Sequence, residues 1–349
     1  MDGRLILEDG SIFEGEAFGS RGERVGLVVA YSGSTGYQEA ITAPPYLGRI
    51  IVFRYPMIGN SGVTNDGFES DRVCAEGIVV REVSKSPGGS GAVKSFGEFS
   101  RERELLGIED ADTEGIAERI AETGEQWGLL TTKDGTKSSY LKRLAELKYP
   151  IGGNPDNYRV SGEALLAPWR PGPDNKTVVV LDLGAGKTFY SLLQRDNWFW
   201  RAFGPKMTSE EILHIKPAAV IISNGSYAPE SLGTTVNTVK SLLGKLPVFG
   251  VGLGCVVLGA ALGMKPVRMK CGHHGLNCGV REEATGRCMM TAQRHSFNLD
   301  EKGMGGAGVK ALFRNIDDGS LEGISCAKKR AAGVMFVRRD LSALEKLIG

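Results

Sequence analysis

The sequence predicts an α/β protein in which a β-rich N-terminal domain precedes a domain built on an open α/β sheet. In the N-terminal part, apolar runs with strand character are separated by turn residues such as Asp9-Gly10. From Val178 onward, β-branched runs alternate with helical segments, which is typical of an open sheet that binds ligands at the carboxyl ends of its strands. The stretch Leu246–Gly263 combines a buried strand, a glycine turn and an apolar helix.

Residues 1–150 are predicted to form the first domain. Its expected strands are Arg4–Glu8, Ser11–Glu14, Val25–Ala30, Ile50–Arg54 and Gly77–Arg81. Asp112 is placed to cap a helix over Glu114–Thr123, in which Ile116 and Ile120 share one face. Residues 151–173 are rich in proline and glycine and are predicted to be a linker.

Residues 174–349 are predicted to form the second domain. Its expected strands are Val178–Leu183, Ala218–Ile222 and Val248–Val251. A helix is expected over Cys255–Leu262, because that segment is apolar and rich in alanine.

Composition excludes several classes of protein. The net charge of +1 gives no field that would favour nucleic acid or an anionic membrane. No apolar run approaches the ~20 residues of a membrane span, and the N-terminus has no signal-peptide layout. Six cysteines in 349 residues do not make a disulfide scaffold. We therefore expect a cytoplasmic protein with reduced thiols, without a metal or cofactor.

The glycine turn at Gly250–Gly254 is the candidate site. A strand, a sharp turn and a helix form a nucleophile elbow, whose central residue projects its side chain over the sheet edge. Here that residue is Gly252, which has no side chain to project. A dinucleotide-binding turn would need a third small residue where the chain has Cys255 or Val257, so that interpretation fails. A plain strand-to-helix turn remains the alternative.

Long stretches of the chain carry a family resemblance. In the N-terminal part they are LEDGSIFEG, STGYQEAITAPPYLGRIIVFRYPMIGNSGV and EGIVVRE. In the C-terminal part they are VVVLDLGA, IISNG, LPVFGVGLG, ALGMKPVRMKCGHHGLNCGV, MMTAQRHSF and DDGSLEGI. On these stretches the chain resembles the small, glutamine-hydrolysing subunit of carbamoyl phosphate synthetase over nearly its whole length.

The resemblance implies a small-subunit N-terminal domain followed by a class I glutamine amidotransferase domain. It also implies a large ATP-grasp partner subunit, which receives ammonia through a tunnel, and a place in pyrimidine or arginine biosynthesis.

The catalytic positions implied by the resemblance have changed. The family elbow reads Gly-Ile-Cys-Leu-Gly-His-Gln, so its nucleophilic cysteine corresponds to Gly252. The family's His-Pro-Glu, which supplies a base and its orienting carboxylate, corresponds to Val337-Arg338-Arg339. Glutamine hydrolysis needs a thiolate and a histidine that returns a proton to the departing ammonia. Gly252, Val337 and Arg339 do not supply these groups.

The glutamine pocket implied by the resemblance has changed as well. Its expected remnant is Gly33, Gly225, Tyr227, Leu253, Val256, Arg294, Ser296 and Phe297. Leu253 and Phe297 keep the family residue, whereas the family has serine at Gly33, glutamine at Val256 and asparagine at Arg294. At Tyr227 the family has glycine, and a side chain there is expected to intrude where backbone approaches the ligand.

Four other features have alternative interpretations. Gly184-Ala-Gly-Lys-Thr188 ends like a phosphate-binding loop but lacks its first glycine. Cys271, Cys278 and Cys288 lack the paired spacing of structural zinc, and we expect small buried thiols. Cys255 is either a packing thiol or a displaced nucleophile beside His295, activated by a helix N-terminus. The run Lys328-Lys329-Arg330, with Arg338-Arg339, is either a solvated face or a surface for an acidic partner or anionic ligand.

Three functions remain open at this point. The first is a glutaminase-dead small subunit that supports or regulates a large synthetase subunit using free ammonia. The second is a pseudo-amidotransferase scaffold or regulator in another assembly. The third is a glutamine hydrolase with a rearranged site, for which Cys255 is a candidate nucleophile.

Overall fold

A computed structural model describes residues 2–148, 177–195 and 199–337. These residues divide into two units: the first holds residues 2–148 with 270–276, and the second holds the rest. The predicted linker at 151–173 and the candidate residue Arg339 lie outside the described residues. Within the described part, no helix combines the length and apolarity that a bilayer crossing requires.

The first unit contains a closed barrel. Its strands are β1 (Asp2–Leu7), β2 (Ile12–Gly19), β3 (Glu23–Tyr31), β4 (Arg49–Phe53), β5 (Met57–Ile58), β6 (Gly77–Val79), β7 (Glu82–Val83), β8 (Leu106–Glu109) and β9 (Trp127–Thr131). Seven of them close the barrel in the order β1-β2-β8-β6-β4-β3-β9, and β5 pairs with β7. The helices are α1 (Tyr37–Thr42), α2 (Phe96–Glu102), α3 (Thr113–Thr123) and α4 (Lys137–Leu147).

Helix α3 forms where the sequence predicts it. The Asp112 side chain accepts a hydrogen bond from the Gly115 N–H at 3.0 Å, which satisfies one free donor of the first turn. Ile116 and Ile120 are buried on the barrel-facing side. The seven-stranded barrel confirms the predicted β-rich character of this domain.

The second unit is a ten-stranded mixed sheet with helices. Its strands are β10 (Thr177–Leu183), β11 (Phe199–Phe203), β12 (Ala219–Gly225), β13 (Val248–Val251), β14 (Pro266–Glu282), β15 (Cys288–Leu299), β16 (Lys310–Asn315), β17 (Leu321–Cys326), β18 (Ala331–Val334) and β19 (Phe336–Val337). Their order is β11-β10-β12-β13-β18-β17-β16-β14-β15-β19. The helices are α5 (Lys187–Arg195), α6 (Ser209–Ile215), α7 (Gly233–Leu242), α8 (Leu253–Ala261) and α9 (Met304–Ala307).

The parallel part of this sheet positions the candidate site. Strands β11, β10, β12, β13 and β18 pair in parallel, so their carboxyl ends meet at one edge. β13 and the first four residues of β12 are apolar, and both strands are nearly free of solvent exposure, as in a sheet covered on both faces. The predicted open α/β sheet is confirmed, and the turn from β13 to α8 lies at this carboxyl edge.

Candidate functional site

The turn between β13 and α8 has the geometry of a nucleophile elbow. Gly252 directly follows the strand and directly precedes the helix, with φ +55° and ψ −119°. Its N–H donates to the Val334 carbonyl oxygen at 2.8 Å, and its own carbonyl oxygen accepts from the Cys255 N–H at 2.9 Å. A positive φ is strained for any residue with a side chain, so the backbone holds the special conformation of an elbow although the residue is glycine.

The two flanking glycines are required by close packing. A Cβ on Gly250 would lie 2.4 Å from the Gly254 carbonyl oxygen, and a Cβ on Gly254 would lie 2.1 Å from the Ile222 carbonyl oxygen. Neither distance is possible for real atoms, so the helix approaches the sheet only because both residues lack side chains. Close packing at this turn therefore explains the Gly-x-Gly-x-Gly pattern without any dinucleotide binding.

The carboxyl end of β12 forms the wall next to Gly252. A Cβ on Gly252 would lie 2.9 Å from the Asn224 Cβ, and a Cβ on Gly225 would lie 1.7 Å from the Leu183 carbonyl oxygen. Asn224 Oδ1 and Ser226 Oγ are buried and have no hydrogen-bond partner among the described residues. The aromatic side chain of Tyr227 is partly buried and packs against the apolar core of this unit.

The end of β18 and strand β19 form the next wall. The Met335 carbonyl oxygen would lie 3.9 Å from a Cβ on Gly252, and Val337 follows two residues later. Val337 is half-buried and pairs with Ala292 of β15. An aliphatic side chain therefore occupies the position at which the resemblance places a catalytic base.

Strand β15 and helix α8 carry the remaining candidate residues of this unit. Ser296 is buried at 1% exposure and Phe297 is buried, while Arg294 is half-buried. Leu253 and Val256 are buried in the first turn of α8, within the apolar core. Gly33 belongs to the other unit, where a Cβ would lie 2.6 Å from the Tyr31 ring.

A buried histidine–carboxylate pair lies in the second unit and involves one residue that the sequence analysis missed. His295 Nε2 lies 3.6 Å from Glu322 Oε2, and both side chains are buried. His295 Nδ1 donates to the Phe297 carbonyl oxygen at 3.1 Å. Glu322 stands in the stretch DDGSLEGI, but nothing in its local pattern indicates that this carboxylate is buried.

Cys255 is a buried packing thiol, in agreement with the first of its two interpretations and not with the activated nucleophile. Its side chain has no solvent exposure, and its Sγ would lie 2.9 Å from a Cβ on Gly333. Burial raises the pKa of the Cys255 thiol far above its usual range, and the negative charge of Glu322 raises it further. A thiol in this state does not supply a thiolate near neutral pH.

Two backbone N–H groups of the glycine-rich segment after β10 already donate hydrogen bonds within the chain. Asp182 Oδ1 accepts from the N–H groups of Gly184 and Ala185 at 2.9 Å each, and Ser223 Oγ accepts from the Leu183 N–H at 2.8 Å. Asp182 is fully buried. The amides that would cradle a phosphate are thus already bound to a carboxylate, which argues against nucleotide binding here.

Solvent exposure differs among Cys271, Cys278 and Cys288, so the expectation that all three thiols are buried is wrong. Cys288 is exposed, whereas Cys271 and Cys278 are partly buried. Cys271 Sγ donates to the Ile120 carbonyl oxygen at 3.4 Å. Burial raises the pKa of the Cys278 thiol to about 12, with the nearby charges of Glu322 and Asp317 acting in the same direction.

Comparisons with known proteins agree with this architecture. Residues 5–130 match the family model described as carbamoyl-phosphate synthase small chain, CPSase domain, and residues 201–336 match the model described as glutamine amidotransferase class-I. The carbamoyl phosphate synthase small chain of Listeria innocua is 35% identical over 332 residues, covering 95% of this chain and 90% of the relative. The chain belongs to the carbamoyl phosphate synthase small-chain family.

Other members of the small-chain family are similarly related. The chloroplastic small chain of Arabidopsis thaliana is 34% identical and covers 95% of this chain and 80% of its own length. The pyrimidine-specific small chain of Bacillus subtilis is 32% identical and covers 93% and 87%. The predicted family and the class I amidotransferase-like fold of the second domain are therefore confirmed.

Proposed function

We propose that this small chain has lost glutaminase activity and supports or regulates a large ATP-grasp subunit that uses free ammonia. The observation that carries the proposal is Gly252, which occupies the central position of an otherwise intact elbow. The elbow conformation at φ +55° and ψ −119° would aim a side chain at the substrate, but glycine offers none. Without a nucleophile, no covalent intermediate with glutamine forms.

The surrounding groups do not substitute for the missing nucleophile and base. Val337 has an aliphatic side chain and cannot accept or return a proton. The ring nitrogens of His295 already face the Phe297 carbonyl oxygen and the Glu322 carboxylate. The buried Cys255, with its raised pKa, is the wrong group for a rearranged site, which disfavours a hydrolase that uses it.

The domain boundaries fit a small subunit. We place the small-subunit domain at residues 1–150, the linker at 151–173 and the amidotransferase-like domain at 174–349, of which residues 270–276 group with the first unit. A "small chain" is named relative to a large one, and two relatives are named pyrimidine-specific, so the proposed partner is a synthetase subunit of pyrimidine biosynthesis, with arginine biosynthesis as the alternative pathway. A scaffold in another assembly is the competing role.

Ammonia release from millimolar glutamine by the purified chain tests the lost activity. We expect no turnover above a blank, and the same result for Cys255→Ala. Turnover that Cys255→Ala abolishes would show a rearranged hydrolase, and turnover that survives it would show a different nucleophile.

Co-purification of the tagged chain from its own cells tests the partner. Recovery of an ATP-grasp synthetase is expected. Stable recovery of a different complex, with no synthetase, would favour the scaffold role.

A further inference from the structure

The amino edge of the second unit's sheet is strongly cationic. This edge, opposite the elbow, is where β12, β13 and β18 begin, where β17 ends and where β16 begins. Its exposed basic residues are Lys216, Lys245, Lys310, Lys328, Lys329 and Arg330. We call these six residues the amino-edge cluster.

Backbone contacts bring the segments of the cluster side by side. The Gly244 N–H donates to the Lys329 carbonyl oxygen at 3.2 Å, and the Val248 N–H donates to the Arg330 carbonyl oxygen at 3.0 Å. Lys310 lies opposite Ser325 on β17, at the end that leads directly into Lys328. Four strand spacings separate β12 from β16, so the cluster extends over about 19 Å.

The charges of the cluster are not neutralised within the described part of the chain. None of the six side chains forms an ion pair with another described residue. The segments that form the edge, residues 213–219, 243–249, 308–311 and 325–332, contain no aspartate or glutamate. Six positive charges therefore face solvent together, and their mutual repulsion raises the free energy of the chain unless an anionic surface binds there.

The segments outside the described residues carry equal numbers of acids and bases, and residues 196–198 contribute one acid, Asp196. Residues 149–176 balance their acids, Asp156, Glu163 and Asp174, against the bases Arg159, Arg170 and Lys176. Residues 338–349 contain more basic than acidic residues. These segments therefore carry no net negative charge to offset the cluster.

We propose that the amino-edge cluster is a docking surface for an acidic segment of a partner protein. The edge segments expose no Phe, Tyr or Trp on which nucleic-acid bases would stack. Their larger apolar residues, such as Leu213 and Leu246, pack against the core and are not free to enter a bilayer. An extended acidic segment of about six residues spans 19 Å.

Binding of a fluorescein-labelled ten-residue polyglutamate peptide to the full chain, followed by anisotropy, tests this proposal. The test variant is the triple substitution Lys245→Gln, Lys328→Gln and Lys329→Gln. The matched control is Lys85→Gln, Lys137→Gln and Lys142→Gln, three exposed lysines of the barrel unit, which change the net charge equally. All six substituted side chains are exposed, so both triples should fold, and circular dichroism checks this.

We expect the test triple to weaken peptide binding about tenfold and the control triple to change it less than about twofold. Binding should also weaken from low to physiological salt, since exposed charges are screened. Equal weakening by both triples would overturn the proposal. So would tighter binding of a ten-nucleotide oligothymidine, or of phosphatidylserine vesicles, than of the peptide. The glutaminase assay is independent, so failure here would leave the proposed loss of activity standing.

Discussion

Restoring a thiol at the elbow should give a reactive cysteine but not a working glutaminase. The perturbation is Gly252→Cys, which adds a side chain at φ +55°. Its backbone strain is about 1–3 kcal/mol. Its Cβ would lie 2.9 Å from the Asn224 Cβ, so the β12 end must move by a few tenths of an ångström. Together these effects should lower the free energy of unfolding by about 2–4 kcal/mol, measured by urea denaturation.

Asn224→Gly isolates the crowding part of that loss. It removes the Cβ that the new side chain meets, so the double variant should be more stable than the sum of the two single losses by about 1 kcal/mol. A strictly additive double variant would refute the predicted contact between positions 252 and 224.

The new thiol should be more reactive than an ordinary cysteine. It would stand at the N-terminus of α8, where the helix dipole favours a thiolate. Gly263→Cys is the matched control, since it follows the opposite end of the same helix and has open space around it. Because position 252 is buried and position 263 is exposed, the pH dependence of alkylation is compared and not the rate alone. We expect iodoacetamide alkylation of Gly252→Cys to reach half of its maximal rate at a lower pH than that of Gly263→Cys, with peptide mass spectrometry to separate either site from the exposed Cys288.

Ammonia release from glutamine by Gly252→Cys should nevertheless stay at the blank. Hydrolysis needs a group that protonates the departing ammonia, and Val337 offers none. Turnover well above the wild-type blank would refute this reasoning, and its loss in Gly252→Cys/His295→Asn would identify His295 as the proton source.

Three further predictions concern stability and reactivity. Alkylation of the native chain should modify Cys288 first and leave Cys255 and Cys74 unmodified until urea unfolds the chain. Both of these cysteines are buried, and burial raises the pKa values of their thiols. Early labelling of Cys255 would contradict the structure. Glu125→Ala should lower the free energy of unfolding by about 3 kcal/mol. In a buried site, Glu125 accepts hydrogen bonds from His274 Nε2 at 3.1 Å and from the Gly272 N–H at 2.8 Å. The exposed Glu122→Ala is the control, and equal losses of stability in the two variants would refute the claim. Partial burial raises the pKa of Asp9, but hydrogen bonds from Ser11, Gln126 and Arg119 outweigh it and lower that pKa to about 2. Above pH 4 this carboxylate therefore adds about 1 kcal/mol to the free energy of unfolding, after allowance for solvent screening. That contribution is lost as the pH falls towards 2. Asp9→Asn should thus be destabilised at pH 7 and indistinguishable from wild type at pH 2, and a constant difference would contradict the assignment.

The parallel strands of the second unit were predictable because burial on both faces produces uninterrupted apolar runs. Val248–Val251 was predicted with both of its ends correct, and Val178–Leu183 was one residue short. The helix after the turn was predicted to begin at Cys255 but begins at Leu253, because the elbow places Gly252 directly at its N-terminus.

The barrel and the buried carboxylate could not be predicted from local pattern. Closure depends on pairs such as β3 with β9 and β6 with β8, which are distant in sequence. Strand β2 was predicted to end at Glu14 but runs on to Gly19, because its face alternates between exposed and half-buried residues. The burial of Glu322 results from strands packing around it, and its charge adds to the effect of burial that keeps Cys255 inert.

Carbamoyl phosphate synthesis by the chain reconstituted with its cognate large subunit tests the central claim most directly. Formation is measured with ammonia and with glutamine as the nitrogen donor, with and without the small chain. The proposed function predicts product from ammonia in both cases and none from glutamine above the level of the large subunit alone. Glutamine-dependent product that requires the small chain would contradict it.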